Sequence, residues 1–123
     1  MPHEFFKKED AEMHTIRKRH PALGRSARAQ IREFLRRLRS RYPEARVILF
    51  GSYARGDVHE GSELDILVIA DFKQRFIDRI GELIELGPKG IRLEVLPYTP
   101  AEFKNMRGRA LLKTILREGI ELT

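Results

Sequence analysis

Glu63 and Asp65 are separated only by Leu64. Residues two apart on an extended chain point to the same side. Both carboxylates therefore share one face of a strand, while Leu64 enters the core. Two carboxylates held close together repel unless a cation joins them. An all-oxygen ligand set suits Mg²⁺, which also binds substrate phosphates. The bland alternative is an edge strand with solvated acids, but Leu64 and Ile66 to Ile69 are too apolar for a water-facing strand. A third acid, Glu94, sits mid-strand between Leu93 and Val95, where it is costly unless solvated or paired. On spacing alone it fits two places equally. It completes the cluster if its strand lies beside Asp65; otherwise it occupies an exposed face with Arg92 as its partner.

Upstream, the apolar run Val47 to Phe50 breaks at Gly51-Ser52. A glycine there lets the backbone bend sharply and a phosphate come close. Ser52 offers a hydroxyl, the next residues can make a helical turn whose amides point at an anion, and Arg55 adds a phosphate contact. A Gly-Ser pair by itself is a routine loop; the acids that follow give it weight.

These groups need a scaffold, and the chain supplies one. Residues 24–42 carry Ala27, Ile31, Phe34, Leu35, Leu38 and Tyr42 at helical steps. Arg25, Arg28, Arg32, Arg36 and Arg39 form a second stripe facing water or a partner. Residues 4–19 give a weaker helix ended by His20-Pro21. Arg46 to Phe50, Leu64 to Ala70 and Ile91 to Leu96 read as strands, the last with Ile91, Leu93 and Val95 on one side and Pro97 ending its pairing. Lys73 to Leu86 is helical, with Phe76, Ile77, Ile80, Leu83 and Ile84 as its packing face. Thr99-Pro100-Ala101-Glu102 starts another helix with Thr99 as N-cap. A last helix over 108–118 packs through Leu111, Leu112, Ile115 and Leu116 and stops at Gly119. The order α, α, β, β, α, β, α, α makes an α/β (α+β) domain: a small mixed sheet of three or more strands covered by helices. One domain over 1–123 is expected, with 1–23 as a helical extension and 24–123 as the core.

Phe50-Gly51-Ser52, ten residues, Glu63-Leu64-Asp65-Ile66 and the later Leu93-Glu94-Val95 together resemble the nucleotidyltransferase superfamily that includes DNA polymerase β. The closest form is its minimal nucleotidyltransferase group. The Gly-Ser-Tyr-Ala-Arg-Gly, Leu-Pro-Tyr-Thr-Pro-Ala-Glu-Phe and Arg-Glu-Gly-Ile-Glu-Leu segments are similar to that group as well, so the resemblance covers roughly residues 25–122. It implies two Mg²⁺ ions on Glu63, Asp65 and Glu94, with Gly51, Ser52 and Arg55 holding the triphosphate. It implies transfer of a nucleoside monophosphate, AMP from ATP in the favoured case, to a hydroxyl. Small members of this group pair with a HEPN-domain protein as toxin and antitoxin and place AMP on its tyrosine. The chain departs from the family at the first acid, Glu63, where Asp is usual. That extends the carboxylate by about one bond length, ~1.5 Å. Asp57 and Glu60 are nearby loop acids that read as solvated. A contact-only antitoxin of the same fold is the alternative.

Composition narrows the rest. The 123 residues contain no cysteine, so there is neither a disulfide nor a thiolate site. No run of eighteen apolar residues spans a membrane, and the first ten residues lack the layout of a secretion signal, which fits a cytoplasmic protein. Residues 1–44 hold 12 Lys/Arg against 6 Asp/Glu, and the remainder holds 12 of each, so the net charge of +6 lies in the N-terminal third. That charge suits a solvated helix face, an acidic protein or nucleic acid. Nucleic acid is the weakest of the three, because no nucleic-acid-reading motif appears. Homo- and hetero-oligomers both remain open. His3, His14 and His20 show no metal spacing. His59 reads as a loop residue, and Tyr98 as a packing or partner contact rather than a base stack.

Overall fold

The apolar steps along residues 24–42 do produce a helix, and it is the first element that can be described. The structure, a computed structural model, describes residues 24–122. The expected helix over 4–19 and the three N-terminal histidines lie outside the described residues. Helix α1 (Arg25–Arg41) buries Ile31, Phe34 and Leu38. Its arginines 25, 28, 32, 36 and 39 face outward.

Next come β1 (Arg46–Phe50), the single turn α2 (Ser52–Arg55), β2 (Leu64–Ile69) and α3 (Phe76–Leu86). The chain closes with β3 (Leu93–Tyr98), α4 (Pro100–Met106), α5 (Ala110–Glu118) and β4 (Ile120–Glu121). The sheet is four-stranded in the order β3-β2-β1-β4. β1 runs antiparallel to both β2 and β4, whereas β2 and β3 are parallel. No helix among the described residues is long and apolar enough to cross a membrane.

Both faces of the sheet are covered. Val47, Leu49, Ile66 and Val68 pack beneath α1 and Leu83 of α3. Ile48, Leu67 and Ile69 face Phe103, Leu112 and Ile115 from the two C-terminal helices. Alternate residues of each strand feed alternate faces, and the continuous apolar run in β2 follows from burial on both sides.

The fold corrects three expectations and adds one element. Pro97 does not end the pairing of β3; it partners Val68, and the strand runs on to Tyr98. An edge strand can accept proline because it has a free margin. The added element is β4, a fourth strand within the three or more expected but not assigned to any residues; it is two residues long and follows Gly119 directly. Leu111 is exposed rather than packed. On α3, Leu83 is buried as expected, but Phe76, Ile77 and Ile84 are exposed, Ile77 to 65%.

In place of those apolar residues α3 buries Arg79, which is only 7% exposed. Its guanidinium donates to Glu102 at 2.7 and 3.2 Å, to the Pro97 carbonyl at 3.2 Å and to the Gln74 carbonyl at 2.8 Å. It also lies 5.4 Å from the Phe72 ring centroid. A buried cation with its donors satisfied is tolerated. Glu102 in turn completes the capping box of α4 with Thr99.

Candidate active site

Strand register brings the distant acids together. Asp65 of β2 lies directly beside Glu94 of β3, and Phe50 of β1 is its partner on the other side. In a parallel pair such neighbours project to the same face, so Glu94 points with Asp65. Glu63 precedes β2 by one residue. Each of the three offers a carboxylate oxygen within 4.8 Å of the others. The alternative of an Arg92 partner for Glu94 does not hold: Arg92 donates to the Gly61 carbonyl at 3.0 Å.

Asp65 is half-buried. Burial, followed by the hydrogen bond with Glu94 and the negative charges of Glu94 and Glu63, pushes its carboxyl up to about 6, and Arg55 pulls it partly back. Loss of water on burial, and after it the crowding of three acids, favour the protonated carboxyl. A divalent cation would relieve the same crowding, and the all-oxygen donor set fits a hard ion.

Gly51 lies against this cluster. Its φ is +75°, and a Cβ at this position would fall 2.1 Å from Asp65 Oδ2. Backbone conformation and lack of space thus both demand glycine. Ser52 opens α2, but its hydroxyl donates to Ser62 Oγ at 3.0 Å. Ser62 also accepts the His59 amide at 2.9 Å, and His59 Nδ1 accepts the Gly61 amide at 3.2 Å. His59 therefore shapes the loop. Arg55 pairs with Asp57 at 3.3 Å and with Glu118 at 3.2 Å. Asp57 is thereby drawn away from the three acids, and Glu60 is exposed outside them.

The structure brings Gly51, Glu63, Asp65 and Glu94 together, with Ser52 and Arg55 in the adjoining turn, each occupied by a protein partner. Tyr98 stands at the far end of β3 and packs on Phe76, with centroids 5.6 Å apart. Sequence reasoning missed Ser62, which ties the loop to the turn, and Arg92, which ties the same loop to β3. The only signal for Ser62 was its place one residue before the acidic pair.

A cavity of about 420 Å³ opens beside Glu63. Another of about 410 Å³, lined by Tyr42, Ala45, Ala70 and Asp71, lies at the opposite end of the sheet and holds none of these residues.

The nucleotidyltransferase domain family matches residues 31–120. The chain belongs to that family. The matched residues take in the turn, all three acids and β1 to β3, so this is a nucleotidyltransferase domain of the polymerase β-like superfamily. A protein of Methanocaldococcus jannaschii, named "Putative protein adenylyltransferase", is 51% identical over 43 residues, 33% of this chain and 43% of that one. The chain thus matches less than half the length of this relative. A crystal structure of "a putative nucleotidyltransferase from Sulfolobus solfataricus" superposes with a TM-score of 0.50 at 21% identity, covering 81% of this chain and 88% of that one. At that identity the likeness concerns the fold, a mixed sheet with helices on both sides. Nucleotidyltransferases generally use divalent metals, and the acids of this domain offer such an ion its ligands.

Proposed function

We propose that this nucleotidyltransferase transfers AMP from ATP to a hydroxyl group of another protein, with Glu63, Asp65 and Glu94 holding Mg²⁺. The observation that carries the reading is the pairing of Asp65 with Glu94 across β2 and β3, with Glu63 in reach and Gly51 pressed against the same carboxylate. Bound Mg²⁺ would neutralise the charge that develops on the attacking and departing oxygens.

The protein's own residues then position the reactants. Gly51 lets the bend after β1 lie directly against the Asp65 carboxylate, so a triphosphate bound at the Ser52–Arg55 turn is brought beside the acids. The acceptor oxygen forms a bond to the α-phosphorus. The bond from that phosphorus to the α–β bridging oxygen breaks, and its electron pair leaves with pyrophosphate. The hydroxyl proton passes to a carboxylate oxygen of Glu94, which is exposed and can hand it to water. Positioning and charge neutralisation supply most of such catalysis. An acceptor on a separate protein accords with the name of the Methanocaldococcus relative, and a HEPN-domain toxin silenced by AMP on its tyrosine accords with the family resemblance.

A second reading has specific support. Ser52 and Arg55 are both engaged inside the protein, and Glu63 stands where Asp is usual. A domain that neutralises its partner by contact alone needs neither a free Ser52 nor a well-placed Glu63.

One experiment separates the two. The protein is incubated with Mg²⁺, α-labelled ATP and the product of a neighbouring open reading frame. Transfer predicts label on that partner, lost with chelator and in Asp65→Asn. Neutralisation of the partner without ATP, and intact in Asp65→Asn, establishes the contact-only reading instead.

A further inference from the structure

We propose that the outer face of α3 docks a second copy of this chain, with the two α3 helices antiparallel about a two-fold axis. Ile77, Ile80, Gly81 and Ile84 stand at steps of three, one and three along this helix. That spacing puts them in one row on one face. In a helix packed on a sheet such a row is normally turned inward. Here the inward side carries Arg79 and Leu83, while Ile77 is 65% and Ile84 49% exposed. Single apolar residues on a surface are ordinary, but a contiguous row marks a contact.

Gly81 is an independent sign. A glycine inside a helix costs about 1 kcal/mol relative to alanine. Nothing in the fold requires it, since a Cβ there would meet no atom within 4 Å. It is exposed, and a missing side chain on the outer face lets another helix axis come close.

The row matches its own reversal. An axis between Ile80 and Gly81 leaves Ile77 and Ile84 equally distant from it, about 5 Å along the helix. Each Ile77 then meets Ile84 of the other copy, and Ile80 and Gly81 meet their own counterparts at the crossing. Such self-complementarity belongs to an isologous contact, and a partner of different sequence has no need of it. Charge agrees. Asp78 and Glu85 are seven residues apart and share one flank of the row, and Arg75 joins that flank through Asp78 at 3.2 Å. The Glu85 carboxylate is exposed and forms no ion pair among the described residues. Reversal about the same axis brings Arg75 of one copy nearly level with Glu85 of the other, which favours the pairing. Val95 belongs to the sheet face beneath α3, whereas Asp65 and Glu94 alternate onto the opposite face. The docking surface is thus separate from the acids and independent of the transferase reading. Two short helices bury little area, so the dimer should dissociate on dilution rather than be permanent.

The test is sedimentation of the full chain over a wide concentration range, in which the mass should rise from one chain to two. Ile77→Glu and Ile84→Glu, both at exposed positions, should each weaken the dimer about tenfold and leave thermal unfolding unchanged. Arg75→Glu should weaken it about fivefold, and adding Glu85→Arg should restore it. The chain has no cysteine, so the pairing can also be read by cross-linking. A mixture of Ile77→Cys and Ile84→Cys proteins should form the interchain disulfide faster than either protein alone, because like positions lie about 10 Å apart along the helices. The proposal is overturned by a single chain at every concentration, by a dimer that neither glutamate substitution weakens, or by cross-linking no faster in the mixture. Two further results overturn it in favour of another occupant. A single chain in which Ile77→Cys resists a maleimide would assign the face to residues 1–23. A single chain that joins only the product of a neighbouring open reading frame, and fails to in Ile84→Glu, would assign it to a different protein.

Discussion

Gly51 has no space for a methyl group and a backbone that other residues avoid. Gly51→Ala should cost about 1–3 kcal/mol from a positive-φ backbone that is essentially open to glycine alone, and more from the contact with Asp65 Oδ2. Because that carboxylate must move, transfer should fall about a hundredfold, measurable with labelled ATP on protein still folded by circular dichroism. Glu63 makes the opposite case. If its length is only an accommodated departure, Glu63→Asp should transfer AMP at least as fast as the unaltered protein, and Glu63→Gln should lose activity at least tenfold. An active Glu63→Gln would remove this residue from the site. The acids were legible in the sequence because a two-residue spacing in an apolar strand has few meanings. The partners of Ser52 and Arg55 were not, because a hydrogen bond from Ser52 to Ser62 or a pair from Arg55 to Glu118 depends on how the loop and α5 fold back, which leaves no periodic trace.

At the scale of elements, α3 shows most clearly where pattern reading stops. Five apolar residues suggested its packing face, yet Arg79 lies inside and Ile77 outside. Hydrophobic periodicity weighs residue type, and it cannot see that a guanidinium finds Glu102, two carbonyls and an aromatic ring once β3 and α4 are in place. By contrast, Thr99-Pro100-Ala101-Glu102 could be read directly, since a capping box is wholly local. Thr99→Ala should cost about 1 kcal/mol in urea unfolding. The hydrogen bonds from Arg79, helped by those from Thr99 and opposed by burial, hold the Glu102 carboxyl below its ordinary value of 4.5. A carboxyl depressed on folding contributes stability above its unfolded value, and that contribution is lost as pH falls through the folded value. The stability difference between the unaltered protein and Glu102→Gln should therefore be larger at pH 7 than at pH 3. A difference that does not change with pH would mean that the ion pair adds nothing.

For the whole molecule, the covered sheet was foreseeable, and the place of its fourth strand was not. Three strands announced themselves by β-branched or alternating runs; two residues after a helix-stopping glycine carry too little pattern to announce a fourth. Gly119 is required there by packing, since a Cβ would lie 2.6 Å from both Ile48 Cγ2 and the Ile115 carbonyl oxygen. Because the sheet is buried on both sides, each layer should matter separately. Phe34→Ala on one face and Phe103→Ala on the other should each cost about 3–5 kcal/mol, with additive losses by denaturant titration because the two rings belong to different clusters. Strong non-additivity would mean that the layers are coupled through the sheet. The place of β4 has a bearing on assembly. Ile48 and Leu49 meet Glu121 and Ile120 from more than two thirds of the described length away, whereas β1 meets β2 after a much shorter connection. Closing the longer span carries the greater entropic penalty. A nascent chain can thus set the acids beside the glycine bend while one margin of β1 is still bare, and β4 covers that margin against stray strands at a later stage.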